Sequence, residues 1–226
     1  MMAGRTVMQR FARWHIWLGW VAAIPILLWL VSGLFMAARP IEEVRGEDLR
    51  RPASPVDPAG LVAPKAKGPI TKLSLIDEAG RATWVVTGAD KSVHRFDARS
   101  GEMLGPVDEA EARRIALATF AGKEALVSLK SFSAHEPPLD LRRSRPSWQA
   151  TFADETNLYI DAESGEVLAL RTGWWRAYDF LWGLHIMDPS ERENAHNPWV
   201  CAFGGLALFT SLMGAVLLFR RRRRTR

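Results

Sequence analysis

Two long hydrophobic runs without charged side chains divide the chain. The first covers residues 14–38 and the second covers residues 198–219. At a rise of about 1.5 Å per residue, a helix of either length crosses a hydrocarbon core of roughly 30 Å. The pattern therefore predicts two transmembrane helices separated by a long polar segment.

A cleaved secretory signal is the alternative interpretation of the first run, because Arg5, Arg10 and Arg13 precede it. The apolar stretch of such a signal is short, roughly 7–15 residues, and it ends at a cleavage site with small residues. This run is longer, and residues 35–40, FMAARP, fit such a site poorly. We therefore expect the first helix to remain in the protein as an anchor.

Basic residues beside the two runs predict the orientation. Residues 1–13 contain three arginines and residues 220–226 contain six, with no acidic residue in either tail. The rest of the chain holds the other 21 of the 30 Lys and Arg residues and all 25 Asp and Glu residues. Because basic flanks stay in the cytoplasm, we expect a bacterial inner-membrane protein with cytoplasmic termini and a periplasmic middle. The arginine tail is expected to contact anionic lipid, and no motif supports nucleic-acid binding.

The segment between the runs contains an internal repeat. Residues 84–104 and 148–168 align without a gap and share ten of 21 positions, which is a strong repeat signal. Each copy predicts two strands, the first beginning at the Trp and the second ending in Asp-Ala-x-Ser-Gly-Glu, with a turn at Ala-Asp between them. The Ser-Gly pair supplies a turn with positive φ.

A helix is predicted between the two copies. Residues 106–122 carry apolar side chains at helical spacing, and Asp108 is a candidate N-cap. Further strands are predicted at residues 70–77 and 125–133, whereas residues 39–69 are rich in Pro and Gly and predict a linker. Residues 70–173 therefore predict an α+β domain of two repeated antiparallel hairpin units with a helix, flanked by the two transmembrane helices.

Several motifs carry a resemblance to a known family. The segment YIDAESGEVL at residues 159–168, which follows the helix that opens DEAEARRIA, resembles the PepSY module. The two hydrophobic runs resemble the spans of the PepSY-associated transmembrane family through His15-x-Trp-Leu-Gly, Ser32-Gly33 and Leu184-His185. Larger members have four or so spans, whereas this sequence has two. Some relatives resemble haem-containing membrane reductases linked to ferric-siderophore uptake.

The sequence lacks the usual enzyme constellations. It has no glycine-rich phosphate loop, no His-Glu-x-x-His and no cysteine pair. Among the five histidines, His94 aligns with Leu158 of the other copy, so its position does not demand an imidazole. His135 lies in a predicted loop. His196 precedes Asn197 and Pro198, a pair typical of a helix start, and is an interfacial side chain or a ligand.

Two histidines are the main candidates for haem or metal ligation. His15 begins the first run between Trp14 and Trp17, where it is either part of the aromatic belt or a ligand that stabilises an ionisable group in the membrane. His185 lies in an aromatic segment, residues 174–197, that is expected at the membrane surface. If the segment is helical, Trp174, Tyr178, Leu181 and His185 share one face. That face suits a membrane contact or a flat porphyrin.

The topology separates these two histidines. His15 is at the inner end of a span and His185 at the outer side, so they are roughly 30 Å apart and cannot share one iron. Each site then needs a second ligand. That ligand is expected from His196 for the outer site, from a second copy in a homodimer, or from a larger membrane complex. Small residues permit close helix approach, within one chain or between copies, at Gly204, Ala207, Ser211, Gly214 and Ala215 of the second run and at Gly19, Ala23, Gly33 and Ala37 of the first.

Two functional hypotheses follow. In the first, which the resemblance implies, haem b bound at His15 and His185 passes electrons outward to ferric iron or a siderophore, and a partner supplies the electrons. In the second, the chain is a haem-free accessory or regulatory subunit of a larger membrane complex. Its periplasmic domain would then bind a partner protein through exposed strand edges.

Overall fold

The computed structural model describes residues 2–224, and side chains from residue 7 to residue 219. The side chains of the arginine tail, residues 220–226, lie outside this described part. The chain forms two compact units. The first unit contains the residues up to Arg39 and those from Ala177 onward, and the second unit is Pro40–Arg176.

The first unit is built on two long antiparallel helices. Helix α1 is Met2–Ala37 and helix α5 is Pro198–Arg224. The stretches Val7–Ala37 and Pro198–Phe219 have the length and composition to cross a membrane. Trp29 of α1 faces Gly204 of α5, and His15 faces Gly214, so the two helices run in opposite directions.

The start of α5 follows the predicted capping pattern. The Asn197 side-chain oxygen accepts hydrogen bonds from the backbone N–H groups of Trp199 and Val200, both at 3.1 Å. Pro198 occupies the first helical position, where a missing N–H costs nothing. The prediction of an Asn-Pro helix start is confirmed.

The second unit contains two four-stranded antiparallel sheets. Sheet 1 has the order β1-β2-β3-β4 and sheet 2 the order β5-β6-β7-β8. The strands are β1 (Ile70–Glu78), β2 (Arg81–Gly88), β3 (Val93–Asp97), β4 (Met103–Leu104), β5 (Leu126–Phe132), β6 (Ser147–Phe152), β7 (Asn157–Asp161) and β8 (Val167–Arg171). The predicted α+β class with repeated antiparallel hairpins is confirmed.

The first hairpin begins earlier than the sequence suggested. Strand β2 starts at Arg81 rather than at Trp84, because Arg81 pairs directly with Glu78 of β1. The two turn residues between them, Ala79 and Gly80, have φ angles of 52° and 88°. Two successive positive φ angles match the right-handed twist of the flanking strands and permit this tight connection.

Helix α3, Glu109–Thr119, forms the core of the second unit together with sheet 2. Its N-cap is Asp108, whose carboxylate accepts a hydrogen bond from the Glu111 N–H at 2.8 Å, as predicted. Its buried face packs on the apolar side chains of sheet 2. The cluster includes Ala112, Ile115, Ala116, Phe120, Ala150, Phe152, Leu158, Ile160 and Leu170. Burial of this set is the main hydrophobic stabilisation of the unit.

The predicted linker is partly regular. It contains helix α2, Ile41–Val44, and a 3-10 helix, Glu47–Leu49. Its last part, residues 62–69, contains no helix or strand and is called the strap below. The strap is fastened to sheet 1 by hydrogen bonds from Val62 N to Ala98 O at 2.9 Å and from Lys65 N to Gly101 O at 3.1 Å.

A buried charge cluster ties sheet 1 to α3. Arg95, with 1% of its side chain exposed, donates to the Glu78 carboxylate and, at 2.8 Å, to Glu111. The Thr83 hydroxyl donates to the second oxygen of Glu78 at 2.9 Å. Burial raises the pKa of Glu78, although the nearby Arg95 guanidinium opposes that shift. Gly165 passes so close that an added Cβ would lie 2.8 Å from Glu78 Oε1.

We predict that Arg95→Leu destabilises the protein by about 3–5 kcal/mol, because it leaves the Glu78 carboxylate buried without its partner. Urea unfolding of the detergent-solubilised protein, followed by tryptophan fluorescence, measures the change. The control is Lys65→Ala, since the side chains of the Lys65–Glu102 pair are 60% and 66% exposed. That substitution should cost less than about 1 kcal/mol. Equal losses in the two variants would contradict the assignment.

Candidate functional site

Helix α4, Gly173–His185, carries the strongest candidate ligand at its last residue. The chain that follows is fixed by contacts to Arg192. The Arg192 guanidinium donates to Asp179 at 2.7 Å, and the Arg192 backbone carbonyl accepts from Trp182 Nε1 at 3.1 Å. Gly183 leaves room for Arg192, whose Cγ would lie 2.5 Å from an added Cβ. The C-terminal end of α4 therefore has a defined position.

The backbone at His185 is bound from both long helices. Trp29 Nε1 of α1 donates to the His185 carbonyl at 2.7 Å. Asn197, the N-cap of α5, donates to the carbonyl of Ile186 at 2.7 Å. Carbonyls at a helix C-terminus lack intrahelical partners, so these bonds satisfy groups that would otherwise be costly to bury.

The His185 ring is oriented by Ser32 of α1. The Ser32 hydroxyl oxygen lies 2.9 Å from His185 Nδ1 and 2.6 Å from the backbone carbonyl of Leu28. A hydroxyl has only one proton, and the carbonyl can only accept, so that proton is donated to Leu28. We infer that His185 Nδ1 carries a proton and donates it to Ser32. In the neutral ring, Nε2 then holds the free lone pair.

This arrangement is the one that metal-binding histidines commonly show, because the hydrogen bond of one ring nitrogen fixes which nitrogen can ligate. The ring also lies beside Gly33 of α1, with His185 Cε1 at an ordinary van der Waals distance, 3.7 Å, from the position of an added Cβ. Trp182 lies nearly parallel to the ring, at 6.5 Å between centroids. Within the described chain no hydrogen bond occupies Nε2 of His185. Nε2 is therefore the ring nitrogen of His185 whose lone pair is not used by the described chain.

His15 faces the second span rather than the aromatic belt. Its neighbours Trp14 and Trp17 are 65% and 68% exposed, whereas His15 packs at Gly214. An added Cβ at Gly214 would lie 3.1 Å from His15 Cε1 and 3.3 Å from Nε2. Nδ1 of His15 is buried and has no hydrogen-bond partner among the described residues. This orphaned nitrogen is the feature that makes His15 a ligand candidate.

The two histidines lie near opposite ends of the helix pair. His185 packs at Ser32, seventeen residues beyond His15 on α1. At about 1.5 Å per residue this corresponds to roughly 25 Å along the helix. The spacing agrees with two separate sites.

The other three histidines do not belong to either candidate site. His196, His94 and His135 are exposed, and His196 makes no hydrogen bond to His185 in the described part of the chain. Over residues 2–224, no cluster of three or more His, Cys, Asp or Glu side chains could hold a metal ion. Any metal chemistry at His15 or His185 thus rests on single histidines.

Some of the predicted small residues serve packing within the chain. Gly204 faces the Trp29 ring, which lies 3.7 Å from the position of an added Cβ, and Gly214 leaves room for His15. Ser211, from the same predicted set, is exposed. The residues that sequence reasoning did not connect with His185 are Trp29 and Ser32. Ser32 and His15 are the only clearly polar side chains of the first run, and this scarcity was the available signal.

Residues 12–226 match the sequence model of the PepSY-associated TM region. The chain belongs to this family. The match covers α1 from residue 12 onward, α5 and the α+β unit between them, so the resemblance seen in the motifs is confirmed. Together with the two membrane-crossing stretches, it identifies a membrane protein of the PepSY type. Comparison with curated proteins and with solved structures gives no significant match.

We predict that Gly214→Val separates His15 from α5 and destabilises this PepSY-associated protein by about 1–3 kcal/mol, the usual cost of overpacking. Gly205→Val is the matched control on the same helix, since no atom lies within 4 Å of its added Cβ. Thermal unfolding followed by circular dichroism in detergent measures both. If Gly205→Val lowered the melting temperature as much as Gly214→Val, close packing at His15 would not be the cause.

Proposed function

We propose that this chain is a b-type haem protein that carries electrons across the bacterial inner membrane. The observation that supports the proposal best is the Ser32–His185 hydrogen bond at 2.9 Å, which leaves Nε2 of His185 with a free lone pair. A haem ligand needs this tautomer and a fixed ring orientation. An aromatic side chain that merely anchors a helix at the membrane surface needs neither.

The proposed ligands are His185 on one side of the membrane and His15 on the other. His185 donates to Ser32 through Nδ1 and offers Nε2 to iron. At His15 the buried Nδ1 without a partner would gain one on ligation, which offsets the cost of an unsatisfied polar group in the membrane. Haem iron, when bound, supplies one-electron redox chemistry.

The second axial ligand of each site is proposed to come from another chain. Because the two histidines are roughly 25 Å apart along α1, one cannot serve as the second ligand of the other. A homodimer would supply His15 and His185 a second time, and a larger membrane complex could supply other ligands. His196 remains a candidate for the outer site only if its loop rearranges, since its ring is exposed and not bound to His185.

The orientation in the membrane is proposed from the charges of the tails, and an outward electron flow is proposed with it. The arginines of residues 1–13 and 220–226 favour cytoplasmic termini, which places His15 on the cytoplasmic side and the α+β unit in the periplasm. No nucleotide- or flavin-binding motif occurs in the sequence, so a partner or a quinol supplies the electrons. The proposed acceptor is ferric iron or a ferric siderophore.

The second candidate function is a haem-free accessory or regulatory subunit. Apolar side chains on two outer strands favour it, because such strands can pair with an added strand from a partner. Ile70 and Leu73 of β1 are 45% and 48% exposed, and Val127 of β5 is 68% exposed. A purified protein that co-purifies with a stoichiometric partner and takes up no haem would support this function.

Absorbance spectroscopy tests the haem proposal. We expect the purified protein, supplied with haem, to show a Soret band, and His185→Ala to lose about half of the bound haem if two sites exist. Ser32→Ala removes the acceptor of Nδ1 and should weaken haem affinity at that site by roughly 10- to 100-fold. His135→Ala is the control, because His135 is exposed in a loop of the other unit.

Two outcomes would count against the proposal. A protein that never develops a Soret band on reconstitution would remove the redox function and favour the accessory subunit. Haem binding that survives both His185→Ala and His15→Ala unchanged would show that the ligands lie elsewhere.

A labelling experiment tests the proposed topology. Ser133 is exposed in the α+β unit, and Cys201 is the only cysteine of the chain. In a Cys201→Ser background, Ser133→Cys should react with a membrane-impermeant maleimide in intact spheroplasts. Reaction only after the membrane is broken would place the unit in the cytoplasm instead.

A further inference from the structure

The end of α1 that carries His15 also carries a cationic and aromatic surface that neither candidate histidine site uses. A cavity of about 500 Å³ opens on this surface. Its lining consists of two arginines and two tryptophans, Arg10, Arg13, Trp14 and Trp17. All four side chains are exposed, and together they are called the arginine–tryptophan cleft below.

The cleft lies on the side of α1 that faces away from α5. Its residues are separated by three, four and seven positions, so at about 100° per residue they fall within an arc of roughly 100°. His15 lies outside this arc and faces Gly214 of α5. Ala22, one heptad after His15, is only 1% exposed and continues the packed side. Because α1 has the length and composition of a membrane span, the cleft faces the lipid around the helix pair.

The two guanidiniums have no counterion in the described chain. Neither Arg10 nor Arg13 forms an ion pair or a hydrogen bond with a described residue. The first acidic residue of the sequence is Glu42, beyond the other end of α1, and residues 198–226 contain no acidic residue. The negative charge that balances the cleft therefore has to come from outside the chain.

The depth of the cleft matches the level of the lipid headgroups. The uncharged run begins at residue 14, directly after Arg13, and Arg10 lies about 4.5 Å further along the helix axis. Headgroups add several Å to each side of the hydrocarbon core. Tryptophan rings prefer the boundary between the two regions, where Trp14 and Trp17 lie. The guanidiniums are thus placed at the level of the lipid phosphates.

We propose that the arginine–tryptophan cleft binds one anionic phospholipid such as phosphatidylglycerol. Its phosphate accepts hydrogen bonds from Arg10 and Arg13, because a guanidinium matches the geometry of phosphate oxygens. The rings of Trp14 and Trp17 pack against the glycerol and the first acyl carbons. A zwitterionic lipid binds more weakly, since its own ammonium group compensates the phosphate and leaves the cleft positive. The inference goes beyond the proposed function, because it requires neither haem nor a partner protein.

The other end of the helix pair combines an exposed tryptophan with the opposite charge. Trp199 at the start of α5 is 63% exposed. Residues 188–199 contain three acidic residues and one arginine, so an anionic headgroup is repelled rather than attracted there. An exposed tryptophan at a membrane boundary is therefore not sufficient for the proposed site, which also needs the two arginines.

Native mass spectrometry of the detergent-solubilised full-length protein tests the proposal by resolving the first bound lipid. We expect phosphatidylglycerol to bind at least tenfold more tightly than phosphatidylcholine with the same acyl chains. In the double variant Arg10→Gln, Arg13→Gln, phosphatidylglycerol binding should weaken by roughly 10- to 30-fold, since each arginine near an anionic lipid contributes about a factor of five. Both positions are exposed, so the variant should fold, and circular dichroism checks this.

Two control variants separate the cleft from general effects. Arg223→Gln with Arg224→Gln removes the same charge from the arginine tail and should keep the preference for phosphatidylglycerol. Trp17→Ala should weaken binding by roughly two- to fivefold, the size of an exposed cation–aromatic contact. Trp20→Ala should have no effect, because Trp20 is 73% exposed but does not line the cleft.

Three results would overturn the proposal. The first is equal binding of the two lipids by the wild type, and the second is an unchanged preference in the Arg10 and Arg13 double variant. The third is an equal loss in the tail variant, which would assign the preference to the total positive charge. Displacement of phosphatidylglycerol by inorganic phosphate in large excess would also count against it, because the cleft would then be a site for free phosphate.

Discussion

A single proton on the Ser32 hydroxyl constrains the arrangement at His185. Because the hydroxyl lies 2.6 Å from the Leu28 carbonyl, its proton is used within α1, and its oxygen is left to accept from the imidazole. The bond therefore sets the tautomer of His185 and holds the ring against the first span. The Trp29 and Asn197 bonds to neighbouring carbonyls act in the same direction, since they hold the backbone to which the ring is attached.

The two candidate histidines have different neighbours: His15 on α1 faces Gly214 of α5, and His185 at the end of α4 faces Ser32 of α1. At His185 the polar neighbour is a hydroxyl, and the ring has a defined donor and acceptor side. At His15 the neighbour is Gly214, which supplies space but no hydrogen-bond partner for the buried Nδ1. The first arrangement stabilises an oriented ligand before any group binds. The second leaves a polar atom unsatisfied, so its stability would increase more on ligation.

The two repeats of the α+β unit differ by one element. Both sheets keep the Trp whose ring nitrogen binds a carbonyl ahead of the first strand, at Val62 and at Val107. In sheet 2 the chain between that carbonyl and the strand is long enough for α3. In sheet 1 it is a short strap. The buried Arg95 of sheet 1, which also pairs with Glu78, then donates to Glu111 of α3 and joins the sheet to the helix.

Six of the eight strands, α3 and the two long helices were predictable from sequence, because hydrophobic period, turn residues and capping residues are local signals. Strands β4 and β8, which follow the Ser-Gly-Glu turns, were not predicted. The repeat indicated that the two copies share one arrangement, with Trp84 and Trp148 at equivalent positions. The partners of His185 were not predictable, because Ser32 and Trp29 lie more than 150 residues away in the chain.

The tautomer of His185 is the most direct test of the account. Nitrogen NMR of the haem-free protein with ¹⁵N-labelled histidine, at about pH 8 where free imidazole is neutral, distinguishes protonated from bare ring nitrogens. The spectrum of His185→Ala assigns the signals. The account predicts a protonated Nδ1 and a bare Nε2 in the wild type, and loss of this fixed tautomer in Ser32→Ala. A protonated Nε2 with a bare Nδ1 in the wild type would contradict it.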